Sequence, residues 1–81
     1  GITVNAIAPG MVMTERILKS RIPGMAEKSG ISPEEYLQKL TEGTDTHRLT
    51  REEDVAELVM FLASKASQNI TGEIVNVAGG F

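Results

Sequence analysis

Two short apolar runs bracket this chain, and their separation restricts its topology more than any other feature. Ile2 to Ala8 (ITVNAIA) reads as a strand with Ile2, Val4, Ala6 and Ala8 on one face and Thr3, Asn5 and Ile7 on the other. Both faces are largely apolar, which suits a strand covered on two sides in a parallel sheet better than a half-wet hairpin strand. Glu73 to Ala78 (EIVNVA) is β-branched and reads as a second strand after a Thr71-Gly72 turn. The connection is long and holds a helix, so it implies a right-handed parallel crossover. Two strands alone leave two open edges, and the physics asks for further strands or a second copy of the chain.

Pro9-Gly10 ends the first strand, and Thr14-Glu15-Arg16-Ile17-Leu18 follows as a short helix with Thr14 as its N-cap. Ile22-Pro23-Gly24 is expected to break that run, and Ser29-Gly30 marks another turn. Ser32-Pro33-Glu34-Glu35 starts a second helix, with Ser32 as cap, Pro33 at the first helical position and Glu35 closing a capping box. It should run to about Glu42 and stop at Gly43. Thr50-Arg51-Glu52-Glu53 reads as a second capping box, opening a helix from about Arg51 to Ser64. Val55, Leu58, Val59 and Leu62 fall at helical spacing, and Ala56, Met60, Phe61 and Ala63 widen the apolar surface. A helix this apolar expects cover on more than one side.

Composition removes several function classes. The chain has 81 residues and a net charge of −3 with both signs interspersed, so no basic cluster is dense enough to track nucleic-acid phosphates. There is no cysteine, which excludes disulfides and thiolate metal sites and is compatible with a reducing compartment; a cytoplasmic location is expected. No apolar run approaches a membrane span, and no signal-peptide pattern is present. The sequence opens at Gly1 directly on a strand, the look of a piece cut from a longer chain.

Four phrases in order carry a family resemblance: GITVNAIAPG, VMT, HRLTREEDVAELVMFLAS and ITGEIVNVAGG. Together they resemble the C-terminal portion of a short-chain dehydrogenase/reductase of the 3-oxoacyl-[acyl-carrier-protein] reductase kind. The resemblance is weakest from about Glu15 to Thr46, the family's variable substrate loop. It implies an α/β fold, the C-terminal fragment of a Rossmann-type doubly wound parallel sheet. Residues 1–10 would be a strand and Pro-Gly turn, 11–49 the substrate-loop helices, 50–65 a helix, and 72–81 the last strand and C-terminus. It further implies NAD or NADP as cofactor and a small carbonyl or alcohol as substrate. By the same resemblance Pro9 and Gly10 lie beside the nicotinamide, with Met11 next to them. Val12 offers backbone to the carboxamide, and the Thr14 hydroxyl meets carboxamide or pyrophosphate.

Elementary chemistry is consistent with that assignment. Ligands of open α/β sheets bind outside the carboxyl ends of the strands, where Pro9-Gly10 lies. A glycine at position 10 lets a flat ring approach the backbone, and a threonine hydroxyl both donates and accepts. Other readings stay open: Pro9-Gly10 as a plain turn, Thr14 as a plain cap, Met11 and Met13 as packing residues or as adaptable pocket walls. The glycine-rich phosphate loop and the family's Ser, Tyr-x-x-x-Lys and supporting Asn have no counterpart here. Tyr36 is followed four residues on by Leu40, and Asn5 belongs to the strand phrase. No residue is assigned a catalytic role, and the 81-residue chain by itself is expected to be inactive. His47 lacks companions at metal-ligand spacing, and Glu34-Glu35 and Glu52-Glu53 suit helix first turns. Gly79-Gly80 precedes no helix that would aim amides at a phosphate. By resemblance this end packs at a subunit interface, and a homo-oligomer through the last helix and strand is expected. The competing reading is a non-catalytic αβ interaction module.

Overall fold

In the computed structural model, which describes residues 1–80, β1 (Ala6–Pro9) and β2 (Ile74–Val77) pair in parallel. Phe81, part of the expected last segment, lies outside them. The register sets Ala6 opposite Ile74 and Pro9 opposite Val77, so both strands end at the same edge. β1 is shorter than the apolar run predicts, because side chains displace the ladder at its start. Val4 N donates to Thr71 Oγ1 (3.1 Å), and Glu73 N donates to Asn5 Oδ1 (3.1 Å). Asn5 Nδ2 reaches Ile70 O (3.1 Å), while Gly72 N and Ala6 N keep backbone partners in Val4 O and Glu73 O. Short polar side chains offer the backbone an alternative to a ladder, and here they convert a strand start into a clasp.

Between the strands lie α1 (Ile22–Ser29), α2 (Pro33–Glu42) and α3 (Glu52–Leu62). Residues 15–29 are helical without interruption, so Ile22-Pro23-Gly24 does not break the run. Instead a π-helical turn (Ile17–Arg21) precedes α1, with Ile22 N donating to Ile17 O five residues back. Proline has no N–H, and in a regular helix its ring would press on the carbonyl four residues earlier, that of Lys19. Widening the turn just before Pro23 absorbs that conflict. At the other end of α1, Ile31 N reaches Ala26 O and Gly30 N reaches Glu27 O, closing the helix through a left-handed Gly30.

α2 follows the sequence closely. Ser32 Oγ accepts from Glu35 N (3.2 Å) and Pro33 opens the helix, although the reciprocal Glu35 bond of a full capping box is not made among the described residues. α3 starts one residue later than the Thr50 box implies. Arg51 is the cap position, and Asp54 Oδ2 accepts from Arg51 N (2.9 Å). Thr50 is drawn away to the sheet. A 3-10 turn (Lys65–Ser67) follows α3, with buried Ser67 donating to Leu62 O (2.9 Å).

The molecule is elongated. Its radius of gyration is 15.7 Å, against about 12 Å for a compact chain of this length. α1 packs on α2, and Ile22 and Ala26, one turn apart on α1, are the fully buried apolar residues. α3 buries none of its residues: Met60 is 72 % exposed, and Val59 and Phe61 are also exposed. Ile2, Val4 and Ile74 are likewise open to solvent. The cover that the α3 pattern requires is not supplied from within the chain.

Candidate functional site

Parallel pairing puts the carboxyl ends of β1 and β2 side by side, and the segment leaving β1 runs from there to Thr14. Gly10 N donates to Val77 O (3.0 Å) and continues the sheet beyond the last paired residues. A Cβ on Gly10 would lie 2.8 Å from Ala78 Cβ, so the space left by the missing side chain is filled by the end of β2. The glycine is therefore demanded by strand–strand contact on the side where a side chain would stand.

One residue organises the site that sequence reasoning placed elsewhere. Thr50, only 8 % exposed, forms a parallel bridge with Val12 and accepts from Met13 N through its carbonyl (2.9 Å). Its hydroxyl donates to Val77 O (3.2 Å). It thus ties the exit of β1, the end of β2 and the start of α3 together. The signal in the sequence was a β-branched residue just before an acidic helix start, and capping claimed it first.

The strand exit bends at Met13, where Thr14 N closes back on Val12 O, and the five expected rim residues separate. Gly10, Met11 and Met13 line a small apolar pocket of about 50 Å³ with Leu40, Leu49 and Ala78. Val12 and Thr14 line a different, open groove of about 530 Å³ with Arg16, Ile17, Ser20 and Arg21. Pro9 is exposed at the strand end and lines neither. The Thr14 hydroxyl accepts from Ile17 N (3.2 Å), and Thr14 O accepts from Leu18 N (3.0 Å), so Thr14 is a helix cap in this structure. Accepting leaves the hydroxyl proton uncommitted, so capping and donation to a ligand are compatible. Val12 O is taken by Thr14 N (2.9 Å), and no acceptor for the Val12 amide is present among the described residues.

The remaining polar groups are structural. Gly79 and Gly80 both adopt positive φ and press against the loop after α2: a Cβ on Gly79 would meet Thr46 Oγ1 at 2.5 Å, and one on Gly80 would collide with Asp45. Thr46 N donates to Gly79 O (3.1 Å), and the buried Thr44 hydroxyl accepts from Arg48 N (3.1 Å) and reaches Thr41 O (2.9 Å). The Asp54 carboxyl is held below its ordinary value, first by the Arg51 backbone N–H and then by the Arg51 side chain. Among the described residues no group of three or more His, Asp or Glu could hold a metal ion, and no helix is long and apolar enough to cross a membrane.

A parallel crossover with a two-sided rim at the carboxyl edge fits a class: part of a doubly wound α/β sheet. Comparison with known proteins gives the family. The model described as "Enoyl-(Acyl carrier protein) reductase" matches residues 1–81, and the chain belongs to the short-chain dehydrogenase/reductase family, corresponding to its C-terminal part. It is 42% identical over 81 residues to a diacetyl reductase [(S)-acetoin forming] of Staphylococcus aureus, covering 99% of this chain and 31% of that protein. Among solved structures, a short chain dehydrogenase family protein from Francisella tularensis superposes with a TM-score of 0.84 at 33% identity, over 98% of this chain and 32% of the other. Sorbitol-6-phosphate 2-dehydrogenase from Erwinia amylovora gives 0.82 at 34% identity, over 99% and 31%. The chain therefore spans about three-tenths of the length of the relatives it matches.

Proposed function

We propose that this chain supplies the cofactor rim and the substrate-closing segment of an NAD(P)-dependent oxidoreductase that interconverts a small carbonyl compound and a secondary alcohol. The observation that carries the reading is the two-sided strand exit. Val12, whose amide has no acceptor among the described residues, and Thr14, whose hydroxyl proton is uncommitted, line one groove, while Met11 and Met13 line a separate apolar pocket. An amide donor and a hydroxyl donor suit the carboxamide of a nicotinamide, which supplies the hydride chemistry when bound. Pro9 and Gly10 fix where this segment leaves the sheet, and residues from about Met13 to Leu49 close over the substrate. Relatives named for diacetyl and for sorbitol 6-phosphate support the carbonyl/alcohol class. The exposed α3 face and β2 are the surfaces through which we expect the enzyme to form a homo-oligomer, and the reading places it in the cytoplasm.

The test is NAD(P)H binding to the complete gene product, followed by nicotinamide fluorescence. Thr14→Ala should weaken binding about tenfold through one lost hydrogen bond, whereas Thr14→Ser keeps both cap and donor and should bind as the wild type does. Equal affinity in all three proteins removes Thr14 from the rim. The bare apolar face of α3 also favours a second reading, a non-catalytic module that folds against a partner. A defined oligomer by light scattering, with no cofactor binding by the complete product, would select it.

A further inference from the structure

The groove below Thr14 has a chemistry that a nicotinamide does not need. Two arginines, Arg16 and Arg21, line it together with the hydroxyl-bearing Thr14 and Ser20. The nearest acidic side chain in sequence, Glu15, is already held by Lys19 at 2.5 Å. Among the described residues neither Arg16 nor Arg21 has a carboxylate partner, and the other ion pair joins Arg51 to Asp54. The chain as a whole carries a net charge of −3, so this concentration of cationic groups is local.

The π-turn explains how it arises. On an ideal α-helix, residues five apart point about 140° away from each other. A turn closed by bonds spanning five residues brings such positions back towards one face. Ile17–Arg21 is such a turn, and it lets Arg16 and Arg21 line one groove with Ser20 beside them. A regular helix would have sent one arginine elsewhere. Single π-turns inside helices recur at functional sites, and here the proline that forces the turn also shapes the groove. Its volume, about 530 Å³, is in the range of small-molecule sites.

We propose that Arg16, Ser20 and Arg21 bind an anionic group of the substrate, a phosphate or carboxylate, and so direct the enzyme to acidic carbonyl or alcohol compounds. Guanidinium forks match both anions in bidentate geometry, and the hydroxyl of Ser20 fills a remaining acceptor site. The inference rests on the oxidoreductase reading. Thr14 belongs to both the groove and the rim, so a substrate anchored by its anion at Arg16 and Arg21 would lie next to the strand edge.

The experiment uses the complete gene product and inorganic phosphate as probe. Phosphate affinity is measured by calorimetry and NADH and NADPH affinity by fluorescence, for the wild type, Arg16→Gln, Arg21→Gln and Lys19→Gln. The proposal expects each arginine change to weaken phosphate about tenfold, with Lys19→Gln and all cofactor affinities at wild-type values. It also expects Arg16→Lys to lose part of the affinity, because an ammonium keeps the charge and loses the fork. The proposal fails if the arginine variants lose no more phosphate affinity than Lys19→Gln. It fails equally if NAD(P)H affinity falls in step with phosphate affinity, which would give the groove to the cofactor's own phosphates. If the wild type binds no NAD(P)H but retains arginine-dependent phosphate binding, the oxidoreductase reading falls and the anion site stands.

Discussion

Gly10→Ala is the sharpest perturbation of the strand exit. An ideal Cβ there lies 2.8 Å from Ala78 Cβ, 3.2 Å from Ala78 Cα and 3.7 Å from Thr50 Oγ1. Non-bonded carbons rest about 3.5–4.0 Å apart, so the two chain segments must separate by about 0.7 Å or more. That movement opens Gly10 N to Val77 O, now 3.0 Å, and strains Thr50 Oγ1 to Val77 O, now 3.2 Å. Overpacking of this kind costs about 1–3 kcal/mol, and a weakened hydrogen bond adds up to about 1 kcal/mol. Gly10 is not among the positive-φ residues, so alanine meets no backbone strain and recovers about 0.4–1 kcal/mol from a less flexible unfolded chain. The net expectation is about 2 kcal/mol of destabilisation, the terms together spanning about 0–3.6 kcal/mol. Urea unfolding of the complete gene product measures it, in a cycle with Ala78→Gly. Removing the Ala78 methyl leaves only the contact to Cα, so Gly10→Ala should cost at least about 1 kcal/mol less in that background. An identical cost in both backgrounds would refute the close-approach argument.

Thr50→Val keeps the shape and removes the hydroxyl that donates to Val77 O, so it should cost about 1 kcal/mol in the same unfolding assay; no loss would mean that Thr50 ties the site through its backbone alone. Ser32→Ala should destabilise by about 1 kcal/mol and specifically lower the hydrogen-exchange protection of Glu35 N, which Ser32 Oγ caps. His47, at φ 55, holds a left-handed conformation that disfavours a side chain, so His47→Gly should leave stability unchanged or raise it by up to about 1 kcal/mol. The Asp54 carboxyl is held below its ordinary value by Arg51. Its contribution to the α3 cap is therefore complete above the ordinary carboxylate range and is lost as pH falls through the depressed value. Amide exchange at the start of α3 should accelerate through that acid window in the wild type and show no such step in Asp54→Asn.

The sequence reading succeeded where one local rule acted alone. Ser32-Pro33 had no competitor for the start of α2, and the long helical connection permitted only a parallel pairing of β1 with β2. It failed where a side chain had two suitors. Thr50 is a good helix cap, and the same hydroxyl satisfies Val77 O across the sheet edge, a partner twenty-seven positions away that no local pattern reveals. Asn5 and Thr71 are legible as polar interruptions, but their role as a clasp appears only once the two segments lie side by side. Pro23 reads as a break because proline usually ends helices. Here the chain yields upstream, at Ile17–Arg21, and the helix continues. For the rim, residues 10–14 are legible as a strand exit, yet their division between two different cavities depends on Leu40, Leu49 and Arg21 arriving from elsewhere.

The distribution of apolar surface explains why polar contacts carry so much of the register. A parallel pair is normally held in place by buried faces, and a strand without a buried face slips easily. Here Ile74 is 70 % exposed and Val4 71 % exposed, while the fully buried apolar residues, Ile22 and Ala26, belong to α1. Within residues 1–80, which span about three-tenths of the length of the relatives, the β1–β2 pair therefore draws little registry from burial. What fixes it is a set of directional bonds at both ends. Asn5 and Thr71 clasp the start, and Thr50 and Gly10 converge on Val77 O at the finish. A one-residue slip would break both ends at once, which makes the register specific even where burial is slight. The rim inherits that precision, because Met11 to Thr14 leave the sheet directly from the second clasp. The apolar faces of α3 and Ile74 are left for further surface to cover, and such cover adds stability to a strand exit whose geometry the polar bonds have already set.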